Sequence, residues 1–163
     1  MRVLVTGSTG HLGEALMRAL PVLGHAPVGL DIIAGPFTKH VGSIVDRDVV
    51  RRCLSGADAV VHAATLHKPH IATHEKRAFI DTNVTGTLTL LEEAVTARVG
   101  AFIFTSTTSA FGAALSPPPG QPAAWIDEAV QSVAVRAKTQ PELHRPSHVP
   151  LLSGGGRQQG DPR

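Results

Sequence analysis

The chain of 163 residues is long enough for one domain with a real core, and its 42% hydrophobic and 17% charged residues have the balance of an ordinary globular protein. Its net charge of +2 divides into +3 over residues 131–163 and −1 over the rest, so no basic stripe marks the body and no nucleic-acid partner is expected. No apolar run approaches the roughly 20 residues of a membrane helix, the N-terminus does not resemble a signal peptide, and the single cysteine, Cys53, excludes an internal disulfide, so a cytoplasmic protein with no membrane partner is expected.

In chain order, residues 2–6 (RVLVT) predict a buried strand that breaks into the glycine loop Thr6-Gly7-Ser8-Thr9-Gly10-His11-Leu12-Gly13. Residues 11–23 have helical apolar spacing, with Pro21 marking the end. Residues 28–31 (VGLD) and 39–44 (KHVGSI) predict the next two strands, and Asp46 is placed to cap a short helix ending near Leu54. Residues 58–64 (DAVVHAA) predict a fourth strand. A long helix is expected from about Thr73 to Arg98, with Val84, Leu88, Leu91 and Val95 recurring on one face, and residues 101–105 (AFIFT) predict a fifth strand. Strands and helices alternating at this pace indicate βαβ units in a parallel sheet covered on both faces. The pattern stops at "SPPPGQP", 116–122, a rigid loop. Residues 131–163 contain no Phe, Trp or Tyr, and only six of the 33 are Leu, Ile, Val or Phe. That share is too low for burial to order a segment, so an irregular or disordered tail is expected there.

Each glycine of the loop has a physical task. Gly7 permits the tight turn out of the strand, Gly10 lets the backbone approach a diphosphate, and Gly13 lets the helix pack closely on the sheet. The pyrophosphate of a dinucleotide would sit on the free N–H groups at the helix start. Asp31 ends the second strand, 24 residues after Gly7. A carboxylate there accepts the hydroxyls of an adenosine ribose and repels a 2′-phosphate. No Arg follows it, since Ile32 and Ile33 come next, so NAD is favoured over NADP.

The Thr-Gly-x-x-Gly-x-x-Gly spacing, "VVHAAT" at 60–65, "DTNVTGTLTLLEEA" at 81–94 and "FIFTSTTSAFG" at 102–112 occur in one order. In these four motifs the chain resembles the extended short-chain dehydrogenases/reductases, and more narrowly the NAD-dependent epimerase/dehydratase group, over residues 1 to about 130. The resemblance implies a Rossmann-type doubly wound parallel sheet, strand order 3-2-1-4-5, in a truncated form. It assigns the dinucleotide site to Gly7, Gly10, His11, Leu12, Gly13, Asp31 and Ile32. Ser43 and Ile44 fall beside adenine, where the family has an Asp before the apolar residue, and the Ser weakens that contact. Ala63, Ala64 and Thr65 match the small residues along the cofactor, and Asn83 matches the Asn that braces the centre of the sheet. His67 falls where many relatives place a Lys near the nicotinamide ribose. Thr107 matches the catalytic Ser/Thr that would hold a substrate oxygen. Read without its partners, Thr107 has the alternative reading of a hydroxyl in a polar run capping a strand.

Those partners are missing. The family's chemistry needs a Tyr-x-x-x-Lys pair, because a phenol of pKa about 10 requires a neighbouring cation to act near neutrality. This chain has no tyrosine, Lys138 stands alone in the corresponding window, and Phe111 replaces the Tyr of the family's Val-Tyr-Gly turn. Family members run to about twice this length. Two expectations follow. One is an NAD-binding domain, residues 1–130, of an epimerase/dehydratase-type oxidoreductase of nucleotide-sugar-like substrates, truncated or frameshifted near Val130 and catalytically incompetent as written. The other is a stand-alone dinucleotide-binding or sensor module whose tail, 131–163, binds a partner. In either case a small-molecule substrate is expected only of an intact relative, and oligomeric state is unread.

Four histidines, His62, His67, His70 and His74, crowd one region, but their spacing matches no standard ligand set and no metal is expected. Cys53 reads as a buried thiol, Glu92-Glu93 as a solvated helix face, and Trp125 as the anchor of its loop.

Overall fold

The structure, a computed structural model, describes residues 1–127 and 129–131. The strands β1 (Arg2–Thr6), β2 (Ala26–Asp31), β3 (Thr38–Val41), β4 (Ala59–His62) and β5 (Ala101–Phe104) form one parallel sheet in the order β3-β2-β1-β4-β5. The helices α1 (His11–Val22), α2 (Arg47–Leu54), α3 (Lys76–Ile80) and α4 (Thr87–Thr96) form the connections, with a π-turn, Asp81–Gly86, joining the last two. The chain divides into a unit of residues 1–107, which holds the sheet, and a second unit from Thr108 on. In the second unit the described residues form short 3₁₀ turns at Thr108–Phe111 and Ala113–Leu115.

Continuous apolar runs make the central strands, as a sheet buried on both faces requires. Alternate residues of β1 serve different layers. Val3 and Val5 pack with Ala59, Val61 and Met17 of α1, while Leu4 joins Leu30, Val60, the buried face of α2 and Leu90 and Ala94 of α4. Pro21 falls one residue before the end of α1, in the position expected of a helix stop. Asp46 caps α2, its carboxylate accepting the N–H groups of Asp48 and Val49 at 3.0 and 3.1 Å. Cys53 is fully buried, and desolvation pushes its thiol pKa up to about 11.

The segment 73–98 departs from expectation in three ways. The α-helix begins only at Lys76, after a 3₁₀ turn at Lys68–Ala72, and a π-turn interrupts it at 81–86. The stripe Val84, Leu88, Leu91 and Val95 is the exposed face, from 41% for Leu91 to 79% for Val95. The residues that meet the rest of the unit are Gly86, Thr89, Leu90, Glu93 and Ala94. Nor is Glu93 solvated. Its side chain is 4% exposed, and its carboxylate accepts from Arg47 at 2.6 Å and from Arg51 at 2.9 Å. Those bonds, Arg51 first, hold Glu93 below the usual carboxylate range. Glu92, paired with Arg47, does lie half in solvent.

The third strand ends at Val41, the Gly42 N–H still donating to the Asp31 carbonyl at 2.8 Å, and residues 42–44 leave the strand for a turn closed by the Asp46 N–H on the Ser43 carbonyl at 3.1 Å. Among the described residues β5 pairs only with β4, and Ile103 and Phe104 are more than half exposed. Trp125 is 94% exposed and anchors nothing. The expected tail, apart from Gln131, lies outside the described residues, as does Lys138.

Candidate functional site: a cleft at the carboxyl ends of the strands

The site begins at the turn out of β1. Gly7 has φ +74°, and a Cβ there would lie 2.8 Å from the backbone nitrogen of Ala64. At Gly13 a Cβ would lie 1.9 Å from the Gly7 carbonyl oxygen, so α1 closes on the loop only because hydrogen occupies that position. Gly10 is the N-cap of α1 and no side chain caps it, which leaves the first-turn N–H groups for a ligand. The N–H of Gly7 is held by the Leu30 carbonyl at 2.8 Å, tying the loop to the end of β2.

Asp31 stands beside this loop as the last residue of β2. Its Oδ2 accepts from the Thr9 N–H at 2.9 Å and its Oδ1 from the Ile33 N–H at 3.0 Å, which fixes the carboxylate before any ligand arrives. Ile32 and Ile33 flank it, both mostly exposed. Across from them, Ser43 spends its Oγ on the Val45 N–H at 3.2 Å, and Ile44 is almost wholly buried between the cleft and the core.

The floor is the end of β4. The N–H groups of Ala63 and Ala64 both reach Thr6 Oγ1 at 3.2 Å. Beneath them lies His62, 1% exposed, whose pKa burial lowers to about 4. Beyond Ala64, Asn83 clamps the loop from both sides. Its Oδ1 accepts from the Leu66 N–H at 2.8 Å and the Thr65 hydroxyl at 3.2 Å, and its Nδ2 donates to the Leu66 carbonyl at 2.7 Å.

These elements enclose a cleft of about 660 Å³. Every residue expected around a cofactor lines it except Asn83, which instead holds the loop that forms its wall. Thr107 is exposed, three residues past β5, and the lining reaches Thr105 rather than Thr107. Leu66, His70, His74, Thr82 and Thr105 also face the cleft. Thr82 and Thr105 had a legible signal, since they adjoin Asn83 and the polar run at 105–109. The other three depend on how the loop after β4 folds.

Three of the histidines form an edge-to-face row, with ring centroids 4.8 Å apart for His67 and His70 and 5.4 Å for His70 and His74. The His67 N–H donates to Nδ1 of His70 at 3.0 Å. Among the described residues no group of three His, Cys, Asp or Glu side chains is arranged to hold a metal ion. No helix among them is long and apolar enough to cross a membrane.

The model of the NAD dependent epimerase/dehydratase family matches residues 3–132. The chain is 32% identical over 130 residues to a UDP-glucose 4-epimerase of Erwinia amylovora, covering 69% of this chain and 39% of that protein. It is 33% identical over 151 residues to a dTDP-glucose 4,6-dehydratase of Streptomyces niveus, covering 78% and 42%. A short-chain dehydrogenase/reductase superfamily protein from Agrobacterium tumefaciens, crystallised with bound NAD, superposes with a TM-score of 0.68 at 27% identity, over 83% of this chain and 40% of that one. The chain thus spans about two fifths of the length of the curated relatives it matches. Its parallel sheet, glycine turn and strand-end cleft are those of a Rossmann domain, and the chain belongs to the NAD-dependent epimerase/dehydratase family.

Proposed function

We propose that this chain binds NAD in the cleft, with the pyrophosphate on the first turn of α1 and the adenosine ribose on Asp31. The single observation that carries the reading is the Asp31 carboxylate, fixed by the Thr9 and Ile33 N–H groups at the mouth of a loop that tolerates no Cβ at Gly13. The residues present suit the group. Close-approach glycines and uncapped N–H groups serve a diphosphate, Ile32 and Ile44 offer apolar walls for a base, and the small Ala63 and Ala64 leave room along the floor. Bound NAD supplies a hydride acceptor. Asp31 disfavours a 2′-phosphate by like charge, so NADP binds more weakly.

The relatives support a nucleotide-sugar substrate class for the intact enzyme type. By itself the 163-residue chain is catalytically incompetent in this reading, because it holds no tyrosine to act as the base and a threonine hydroxyl is far too weak. Thr107 is then a remnant of the substrate-oxygen site, and His67 lies toward the nicotinamide ribose.

Calorimetry with NAD and NADP tests the assignment. NAD is expected to bind more tightly, and Asp31→Ala to narrow the difference by about 1–3 kcal/mol, the range for a charged hydrogen-bond partner. Equal affinities in the wild-type chain would remove Asp31 from the ribose. Turnover with a nucleotide sugar that survives Thr107→Ala would show that another base exists.

A further inference from the structure

His62 is the most buried titratable group in the cleft's surroundings, and nothing in the cofactor reading uses it. Its two ring nitrogens are both engaged. Nδ1 lies 2.7 Å from Thr6 Oγ1, and Nε2 lies 2.9 Å from Thr87 Oγ1. Phe102 and Phe104 of β5 close over the ring, with centroids at 6.2 and 5.5 Å, so no water competes from that side.

The proton directions along this chain of bonds are determined. The Asn83 carbonyl can only accept, and Thr87 Oγ1 donates to it at 2.9 Å. Thr87 has one hydroxyl proton, so the bond to His62 must be donated by Nε2–H. A neutral imidazole carries one N–H, so Nδ1 accepts and Thr6 donates. The lone pairs of Thr6 Oγ1 are then free for the Ala63 and Ala64 N–H groups that approach it. This is the one assignment in which every donor meets an acceptor. It links β4, β1 and the π-turn through groups 56 and 25 residues apart in sequence.

We propose that His62, held as the neutral Nε2–H tautomer, is a positioning residue that couples the Ala63–Ala64 floor of the cofactor cleft to the π-turn carrying Asn83. The coupling rests on the NAD reading only for its consequence, cofactor affinity. The network itself is a property of the folded chain. The Thr87 hydroxyl donates back to the Asn83 carbonyl four residues earlier, and Asn83 in turn clamps Leu66 on the cleft wall. Burial, which keeps the imidazole uncharged near neutrality, supports the single tautomer. A proton on Nδ1 would leave Thr6 with three donors and no acceptor.

Three variants and three readouts test this. Gln at 62 retains one acceptor and one donor, whereas Leu retains neither. NAD affinity is expected to stay within about threefold in His62→Gln and to fall about tenfold in His62→Leu, the scale of a lost buried hydrogen bond. Thr87→Val, which replaces the hydroxyl by a methyl of similar size, is expected to weaken binding like His62→Leu and carries the test if that variant does not fold. Long-range ¹H–¹⁵N spectra of the wild-type imidazoles should show the Nε2–H pattern for His62 throughout pH 5.5–7.5. Amide exchange at Ala64 and Leu66 should quicken in His62→Leu or Thr87→Val. An Nδ1–H or protonated pattern, or equal NAD affinity for the Gln, Leu and Val variants, would overturn the proposal. If the wild-type chain binds no NAD, the cofactor reading fails alone, and the tautomer and exchange rates still decide the coupling.

Discussion

At the glycine-loop end of the cleft, polar groups are tied to partners far along the chain: Thr9 to Asp31 over 22 residues, Ala64 to Thr6 over 58. At the histidine end the bonds are local, His67 to His70 and Thr73 to its neighbour His74. Long-range bonds close only when the sheet is assembled, so opening the loop end breaks contacts between strands. Local bonds secure a single turn and open at lower free energy. The grip proposed for a dinucleotide therefore rests on bonds that the folded sheet supplies. The described residues complete no matching acid–base group at the other end.

The largest expected effect breaks the glycine-loop end. Gly13→Ala puts a methyl 1.9 Å from the Gly7 carbonyl, and NAD affinity should fall by about a hundredfold or more, or the chain should fail to fold, as followed by calorimetry and circular dichroism. Thr107→Ala, outside the cleft lining, should leave NAD affinity unchanged. Similar losses in both variants would erase the contrast.

Next in size is the acid response of His62. The folded imidazole takes up a proton only near pH 4 and the unfolded one near 6.5, so between those values the unfolded chain binds more protons. Stability is then full above pH 6.5 and falls by about 3 kcal/mol as pH drops to 4. Denaturant melts of the wild-type chain and His62→Gln across that window check it, and the slope should be shallower in the variant. Parallel curves would mean that His62 is not the group responsible.

A smaller effect separates two adjacent glutamates. Glu93→Ala removes the buried acceptor shared by Arg47 and Arg51 and should lower the melting temperature by several degrees. Glu92→Ala, half exposed, should change it by about 1 °C or less. Equal shifts would mean that the burial of Glu93 carries no weight.

Smallest in stability is Ile103→Lys on the exposed face of β5. Folding stability should move by no more than about 0.5 kcal/mol, while a charge on this strand should reduce light scattering during a melt. Unchanged scattering would show that β5 does not drive association.

The difference between the two ends also explains what was legible. The glycine turn could be read because a φ that only Gly adopts and a close approach dictate it locally, and Asp31 because it ends a strand beside that turn, whereas the small residues at 63–65 were marked only by the family resemblance. β1, β2 and β4 were legible because strands buried on both faces run apolar, and the parallel arrangement follows from the alternation of strand and helix, whereas the strand order was implied by the family resemblance. The helix over 76–96 was legible as a helix but not in its orientation. Its sequence offers Val84, Leu88, Leu91 and Val95 at helical spacing, yet Leu90 and Ala94 are the residues that pack. When apolar residues occur around most of a helix, periodicity does not choose the inner face.

What the sequence determined by itself is the five strands, their parallel arrangement and the glycine turn, because local sterics and burial patterns act over short stretches of chain. Tertiary structure alone decided that Glu93 is an interior carboxylate, that His62 sits between Thr6 and Thr87, and that Asn83 holds the cleft wall rather than lining it. Each of these depends on a partner 17 to 56 residues away. Burying a polar side chain costs free energy until such a partner arrives, and only the closed sheet brings the two together.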